Sequence, residues 1–382
     1  MRYCSRCILP DSRPGIFISS NGVCNACNNF TENKENIDFS LRESQFMEVV
    51  KRAKAKSKGY DCLIPVSGGK DSTWQVVKCL EYGLNILAVT WKTPARTKIG
   101  QANLDNLISL GVDHIDYTIN PLVEKKFMLK ALEKYGSTAI PMHMAMFAIP
   151  TRISANFGIP LVVWGENSAF EYGTDDEALT GFKLDSKWLK KYGVTNGTTA
   201  EDWISGDLTL RELTPYFSLT DDEIDKAGVN AIFLGYYFKW DVETSLNIAT
   251  SNGFQLSDQP KTGIYTFADI DDDFISIHHF LKWYKFGITR SFDNLSLEIR
   301  NKRITREEAL KKLALLGDET PYEDIRKFCA FTGITEDRFF NICEKFRNSA
   351  IWKKEKGTWK IEGFINPYYK WNNPVNHDHE IC

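Results

Sequence analysis

The chain has 382 residues, 43% of them hydrophobic, enough to bury a full α/β core with length left for one or two smaller units. Its formal net charge of −3 gives no general electrostatic pull toward nucleic acid. No apolar run has the length of a membrane span, and the start, Met1-Arg2-Tyr3-Cys4-Ser5-Arg6-Cys7, lacks the apolar core of a signal peptide. These features predict a soluble, cytoplasmic protein.

Four of the nine cysteines form two C-x-x-C pairs, Cys4/Cys7 and Cys24/Cys27. The sixteen residues between them hold Pro10, Pro14, Gly15, Asn21 and Gly22, so each pair is a tight knuckle on a turn-rich linker. That spacing fits a four-cysteine zinc site, with an iron–sulfur cluster as the alternative. With cysteine at all four positions no coordination site is left open, which makes the metal structural. Residues 1–35 are therefore expected to form a zinc-binding knuckle. Cys62, Cys79, Cys329 and Cys343 lie in apolar patterns and carry no assigned chemistry. Residues 31–42 are polar and read as a connection, followed by a helical pattern through Phe46, Val49, Val50 and Ala53 whose basic run, 51–58, reads as a solvated face.

From Tyr60 onward strands and helices alternate. Strands are predicted over 63–66, 86–91, 113–119, 159–164 and 231–237, and helices from Lys70 and over 99–110, 121–135, 142–157 and 242–252, the last capped by Asp241. Such alternation predicts an α/β domain over 36–268, with a parallel sheet covered by helices on both faces. Between the first strand and helix stands Ser67-Gly68-Gly69-Lys70-Asp71-Ser72. Glycines that admit main-chain N–H groups, a helix N-terminus and two hydroxyls make a phosphate cradle. The Walker spacing is absent. The hexapeptide resembles the PP-loop of the ATP pyrophosphatases, which split ATP between its α and β phosphates. That resemblance implies an adenine nucleotide alpha hydrolase-like fold, a grip on the pyrophosphate leaving group, and a Mg²⁺ ion held by Asp71.

Ligands on a parallel sheet bind beyond the carboxyl ends of its strands. Thr90 and Trp91 at one strand end are thus expected near the loop, Trp91 either flanking adenine or packing in the core. Glu166 and Asn167 follow another strand, and Glu166 reads as a Mg²⁺ ligand, a substrate contact or a solvated loop acid. The Gly-, Asp-, Thr- and Trp-containing segment 168–214 reads as an insertion covering the site, a lid.

Residues 269–382 are predicted to form a mostly helical C-terminal unit for substrate or partner. Among its cations, Lys285, Arg290 and Arg300 are assigned to substrate, whereas Arg303 and Arg306 stand near Glu307 and Glu308 as surface pairs. His278, His279, His377 and His379 receive no metal assignment.

The order of two C-x-x-C pairs, the PP-loop, Trp164-Gly165-Glu166-Asn167, Phe233-Leu234-Gly235-Tyr236-Tyr237 and the run from Glu298 to Ala309 resembles, over nearly the whole chain, the N-acetyl sugar amidotransferases, including the pseudaminic acid and O-antigen amidotransferases. The resemblance implies conversion of an acetamido group on a bacterial surface sugar, free or nucleotide-linked, into an acetamidino group. Adenylation of the amide oxygen by ATP would be followed by attack of ammonia. It implies that Ser67 to Ser72 hold ATP, and that Lys70 and Asp71 are catalytic. The sequence has no evident glutaminase nucleophile, so ammonia is expected from a separate glutaminase with a barrel partner resembling imidazole glycerol phosphate synthase. Two other readings remain: a tRNA-thiolating PP-loop enzyme, which would need a basic RNA face, and a non-catalytic scaffold.

Overall fold

The computed structural model describes residues 1–30, 37–172, 174, 176–366 and 369–371; the tail histidines His377 and His379 lie outside them. Five strands, β1 (Cys62–Pro65), β2 (Ile86–Trp91), β3 (Asp113–Tyr117), β4 (Leu161–Trp164) and β5 (Asn230–Phe233), form a sheet in the order β3-β2-β1-β4-β5. Every pairing is parallel.

Alternate strand residues face opposite sides of the sheet. Leu63, Leu87, Val89, Val162 and Trp164 join one core with the helices Pro121–Tyr135 and Ala139–Phe157. Cys62, Ile64, Ile86, Ala88, Leu161 and Val163 join the other, with Phe39–Lys56, Lys70–Glu81, Lys98–Ser109 and Val242–Ser251. Burial on both faces is why the inner strands read as unbroken apolar runs. Edge strand β3 keeps Asp113 and Asp116, while the edge at β5 is covered by residues 182–184 through Phe233 N–H to Phe182 O (2.7 Å) and Leu184 N–H to Ala231 O (3.1 Å).

Two expectations need correction, and one gains a detail. The run 231–237 is not one strand: after Phe233 it becomes a helical turn, Leu234–Tyr237, where Gly235 N–H bonds Gly165 O (3.1 Å) and turns the chain toward the loop after β4. Segment 168–214 is a fixed wall rather than a lid, because Leu179, Leu184, Trp188, Trp203, Leu208 and Leu213 are buried in the same core as β2 and β4. The C-terminal unit, with helices Ile275–Phe286, Arg290–Arg300, Arg306–Leu316, Tyr322–Thr332 and Glu336–Lys345, also carries an antiparallel hairpin, β6 (Trp352–Glu355) and β7 (Thr358–Ile361). Lys356 and Gly357 both have positive φ, as a two-residue turn of that hand requires.

The N-terminal knuckle packs on this C-terminal unit. Cys4, Cys7, Ile8, Leu9 and Ile16 share a core with Ile288, Phe292, Leu295, Ala309 and Leu313, and Arg13 Nε donates to Asp293 Oδ1 (2.6 Å). Among the described residues no helix is long and apolar enough to cross a membrane.

Strand order reverses at β1, so the loops after β1 and β4 open on one crevice. The loop after β1 lies close on the helix Lys98–Ser109: Gly68 has φ +88°, and a Cβ there would stand 2.7 Å from Leu104 N and 2.8 Å from Leu104 Cα. Gly68→Ala is therefore expected to cost about 2–4 kcal/mol, left-handed strain plus a backbone collision. Gly111→Ala, at φ +104° with nothing within 4 Å, should cost only about 1–2 kcal/mol. Urea unfolding of both variants measures the difference, and equal costs would refute the collision.

Candidate functional site

Gly69 is the N-cap of the helix Lys70–Glu81, so the chain passes from β1 into a helix start within four residues. The loop is internally braced: Gly69 N–H donates to Ser67 Oγ (3.2 Å) and Ser67 N–H to Ser72 Oγ (3.1 Å). From β2, Thr90 Oγ1 donates to Val66 O (2.7 Å) and pins the strand end. The helix start aims partial positive charge into a cleft of about 490 Å³.

Beside the loop, Lys70 Nζ donates to Asp71 Oδ1 (2.6 Å), and Trp240 Nε1 donates to the same oxygen (2.9 Å). The Lys70 ammonium is buried, 5.2 Å from the centre of the Trp240 ring. Across the crevice, Glu166 is pushed up to about 7 by burial, with the charge of Asp71 adding and that of Lys70 opposing. Asp271 is raised by burial against a hydrogen bond from Ser67. Burial likewise lifts Asp272 to about 7, although it accepts from Thr93 Oγ1 (2.9 Å) and Phe274 N–H (3.0 Å). The Asp71 carboxylate, which raises the proton affinity of the buried Glu166, makes with it a donor set that a hard divalent cation satisfies.

The opposite wall comes from residues 265–297. Asp269, Asp271, Arg290, Asn294 and Leu297 line it, and Arg290 Nε donates to Asp269 Oδ2 (3.2 Å). His143, from the helix Ala139–Phe157, lines the cleft as well. Its Nδ1 lies 2.8 Å from Ala139 O, an atom that can only accept, so Nδ1 carries the proton and Nε2 is left as an acceptor. Burial, with Lys282 adding, lowers its pKa to about 4, so the ring is neutral at pH 7. Trp164 Nε1 and Gln75 Oε1, on two more lining residues, are buried without a hydrogen-bond partner among the described residues.

The cleft thus brings together Ser67, Gly69, Lys70, Asp71, Ser72, Thr90, Trp91, Glu166 and Arg290 of the residues singled out in the sequence. Gly68 lies beneath the loop, where its contribution is the backbone approach. Thr90 spends its hydroxyl on Val66, and Trp91 Nε1 donates to the buried Glu124 (2.9 Å). Asn167 is placed elsewhere: its Nδ2 donates to Leu179 O and Gly181 O, and its Oδ1 accepts from Trp188 Nε1, which ties the 168–214 segment to β4. Lys285 is not among the lining residues, and its ammonium stands 5.5 Å over the Phe286 ring. Arg300 lies beside the cysteines at the other end of its helix. Arg303 pairs with Glu298 (2.7 Å) and Asp241 (3.0 Å), and Arg306 Nε donates to Cys7 O (3.0 Å), so the expected partners Glu307 and Glu308 are not the ones used. No local pattern marks His143, Trp240 or Asn294, and Asp269 and Asp271 stand in an acidic run, 269–273, that on its own would suit any exposed turn.

The four cysteine sulfurs lie within 4.8 Å of one another, with Cys7–Cys24 at 3.8 Å and Cys4–Cys27 at 4.0 Å. A tetrahedron with Zn–S arms of ~2.3 Å has edges of about 3.8 Å. Backbone N–H groups of Cys7 and Cys24 donate to Cys4 Sγ (3.4 and 3.2 Å), and that of Leu9 to Cys7 Sγ (3.5 Å), as suits sulfur carrying negative charge. The residues fit a metal ion.

No curated protein matches the chain. Among solved structures it is similar to NMN synthetase from Francisella tularensis, with 13% identity, a TM-score of 0.28, and coverage of 72% of this chain and 96% of that one. It is also similar to the NH3-dependent NAD synthetase from Campylobacter jejuni subsp. jejuni in complex with the nitrate ion, at 15% identity and a TM-score of 0.27, covering 59% of this chain and 100% of that one. Both superpositions are loose. The family "LPS biosynthesis protein WbpG-like, C-terminal domain" matches residues 262–365, the stretch that supplies the wall opposite the loop. Residues 262–365 thus match the model of the WbpG-like lipopolysaccharide biosynthesis proteins, and they close the cleft that the parallel-sheet domain opens at its Ser67–Ser72 loop.

Proposed function

We propose that the protein is an ATP-dependent amidotransferase of surface-glycan biosynthesis, which converts an acetamido group of a sugar to an acetamidino group. One observation carries this reading: the segment matched by the lipopolysaccharide biosynthesis family and the PP-loop face each other across a single cleft. A nucleotide loop alone would serve many ATP-splitting enzymes. Its enclosure by that segment points to a glycan substrate.

An amide is a poor electrophile with a poor leaving group, so its oxygen must first be activated. The amide oxygen attacks the α-phosphorus of ATP, and pyrophosphate leaves into the cradle of Ser67, Gly69 and Ser72. Lys70, held by Asp71, offsets charge developing on the phosphates. Magnesium, bound by Asp71 and Glu166, would supply further positive charge at the same phosphates. Ammonia then adds to the O-adenylyl imidate carbon. The new ammonium must lose a proton before its lone pair can expel AMP, and the neutral His143 offers Nε2 to take it. Arg290 and Asn294 stand on the wall where the sugar would sit. Ammonia is drawn from a separate glutaminase and its barrel partner, and the four-cysteine site is assigned to zinc.

Incubation with ATP, Mg²⁺, ammonium and a panel of acetamido sugars, free and nucleotide-linked, is expected to release AMP and pyrophosphate together. The product should show the mass change of oxygen replaced by NH. Asp71→Asn should lower that rate by ~10²–10³-fold with the fold intact by circular dichroism; AMP formed only with tRNA, or never formed, would overturn the reading. Because Glu166 keeps its proton up to about pH 7, Mg²⁺ must displace that proton. Affinity should therefore rise about tenfold per pH unit up to that point and level off above it. Calorimetric titration of Mg²⁺ in the presence of a non-hydrolysable ATP analogue checks this, and Glu166→Gln should flatten the profile.

A further inference from the structure

The helix Arg290–Arg300 has two ends with different surroundings. Arg290, Asn294 and Leu297 line the cleft, whereas Arg300, 5% exposed, is enclosed beside the cysteine knuckle. None of the three guanidinium nitrogens of Arg300 has a conventional hydrogen-bond acceptor among the described residues. Its helix shares the core of the four cysteines through Phe292, Leu295 and Ile299, and the Arg300 side chain reaches the sulfur of Cys27, with Cys7 and Cys24 close by. A guanidinium cannot shed its proton, and a buried cation without a counter-charge is strongly destabilising.

Four neutral thiols would leave that charge unbalanced, and so would two disulfides. Sulfur separations of 3.8 and 4.0 Å are in any case not bonds. Four thiolates around one divalent cation carry a net charge of −2, which is the sign the guanidinium needs. Two other arginines near the cysteines reach main-chain oxygens: Arg6 Nη1 donates to Cys27 O (3.2 Å) and Arg306 Nε to Cys7 O (3.0 Å).

We propose that Arg300 is the counter-charge of a tetrathiolate divalent-cation centre formed by Cys4, Cys7, Cys24 and Cys27, so that cation loading seats the helix Arg290–Arg300 and with it one wall of the cleft. Arg300 is a positioning residue. It acts through the helix that it anchors, about ten residues and ~15 Å from Arg290. This inference does not rest on the amidotransferase reading, and it gives Arg300 a partner other than substrate.

The test uses the purified full chain with zinc as the probe, Arg300→Met and Arg300→Lys as variants, and competition with a chromogenic chelator for affinity. Arg300→Met should bind zinc ~10–100-fold more weakly than the unsubstituted protein, and Arg300→Lys, which keeps the charge, should lose less. Thermal unfolding separates charge balance from packing. Zinc-loaded Arg300→Met should melt below the zinc-loaded unsubstituted protein, whereas after chelation the order should level or reverse, because the stripped parent then buries an unbalanced cation. Hydrogen exchange should rise across residues 290–300 on stripping, with β1, β2 and β4 unaffected. A protein that binds no zinc, an affinity untouched in Arg300→Met, or the same loss of Tm in loaded and stripped forms would each overturn the proposal. If Arg300→Met does not fold, Arg300→Lys decides: zinc bound within tenfold of the parent supports it, and a greater loss overturns it.

Discussion

The loop that leaves the first strand can lie where it does only because Gly68 sets no side chain against the backbone of Leu104. That contact lets the chain turn from strand into helix within four residues and directs the first N–H groups of Lys70–Glu81 into the crevice. The strand order then decides what those groups face. Because the order reverses at β1, the end of β4 is brought opposite the loop, and Glu166 arrives across from Asp71 without any further device. Gly165 brings the end of β4 close to the helix that carries Asp71: a Cβ there would stand 2.3 Å from Gln75 Nε2, and the Gln75 amide would have to move aside.

Neither half of the molecule holds a complete cleft. The sheet contributes an anion cradle with one buried lysine and the acids Asp71 and Glu166, and the C-terminal segment contributes Asp269, Asp271, Arg290 and Asn294. Charge is divided between the walls so that each side presents both signs, and the rings of Trp240, Phe267 and Trp164 line the space between them. In such surroundings a proton or a divalent ion is held by few groups and strongly, which is why burial, rather than any single neighbour, dominates the behaviour of Glu166, Asp272 and His143.

The parts legible in the sequence are those whose signal is local. Apolar runs of four to six residues marked the three inner strands, C-x-x-C pairs marked the knuckle, and a glycine pair between strand and helix marked the loop. The parts that escaped depend on which elements meet. Asn167 follows Glu166 immediately, yet the chain turns there, so one side chain enters the cleft and the next is spent on Leu179, Gly181 and Trp188. Arg290 and Arg300 look alike in the sequence, but they stand at opposite ends of one helix, and only packing says that one meets the cleft and the other the cysteines. Segment 168–214 is loop-like in composition, and its tryptophans and leucines reveal a wall only once the sheet is there to receive them. Lys356-Gly357 was the missed local cue, a hairpin turn set among helices.

The knuckle meets its bed of packing partners very late in the life of each molecule. Its cysteines end at Cys27, and the apolar residues that cover them run from Ile288 to Leu313. At ribosomal speeds of ~5–20 residues per second, roughly 13–52 s separate the emergence of the last cysteine from that of the first covering residue. During that interval the four thiols are open to oxidants and to competing metals. A reducing environment or early metal capture would protect them, and the cysteine unit, made before its bed, is finished only after it.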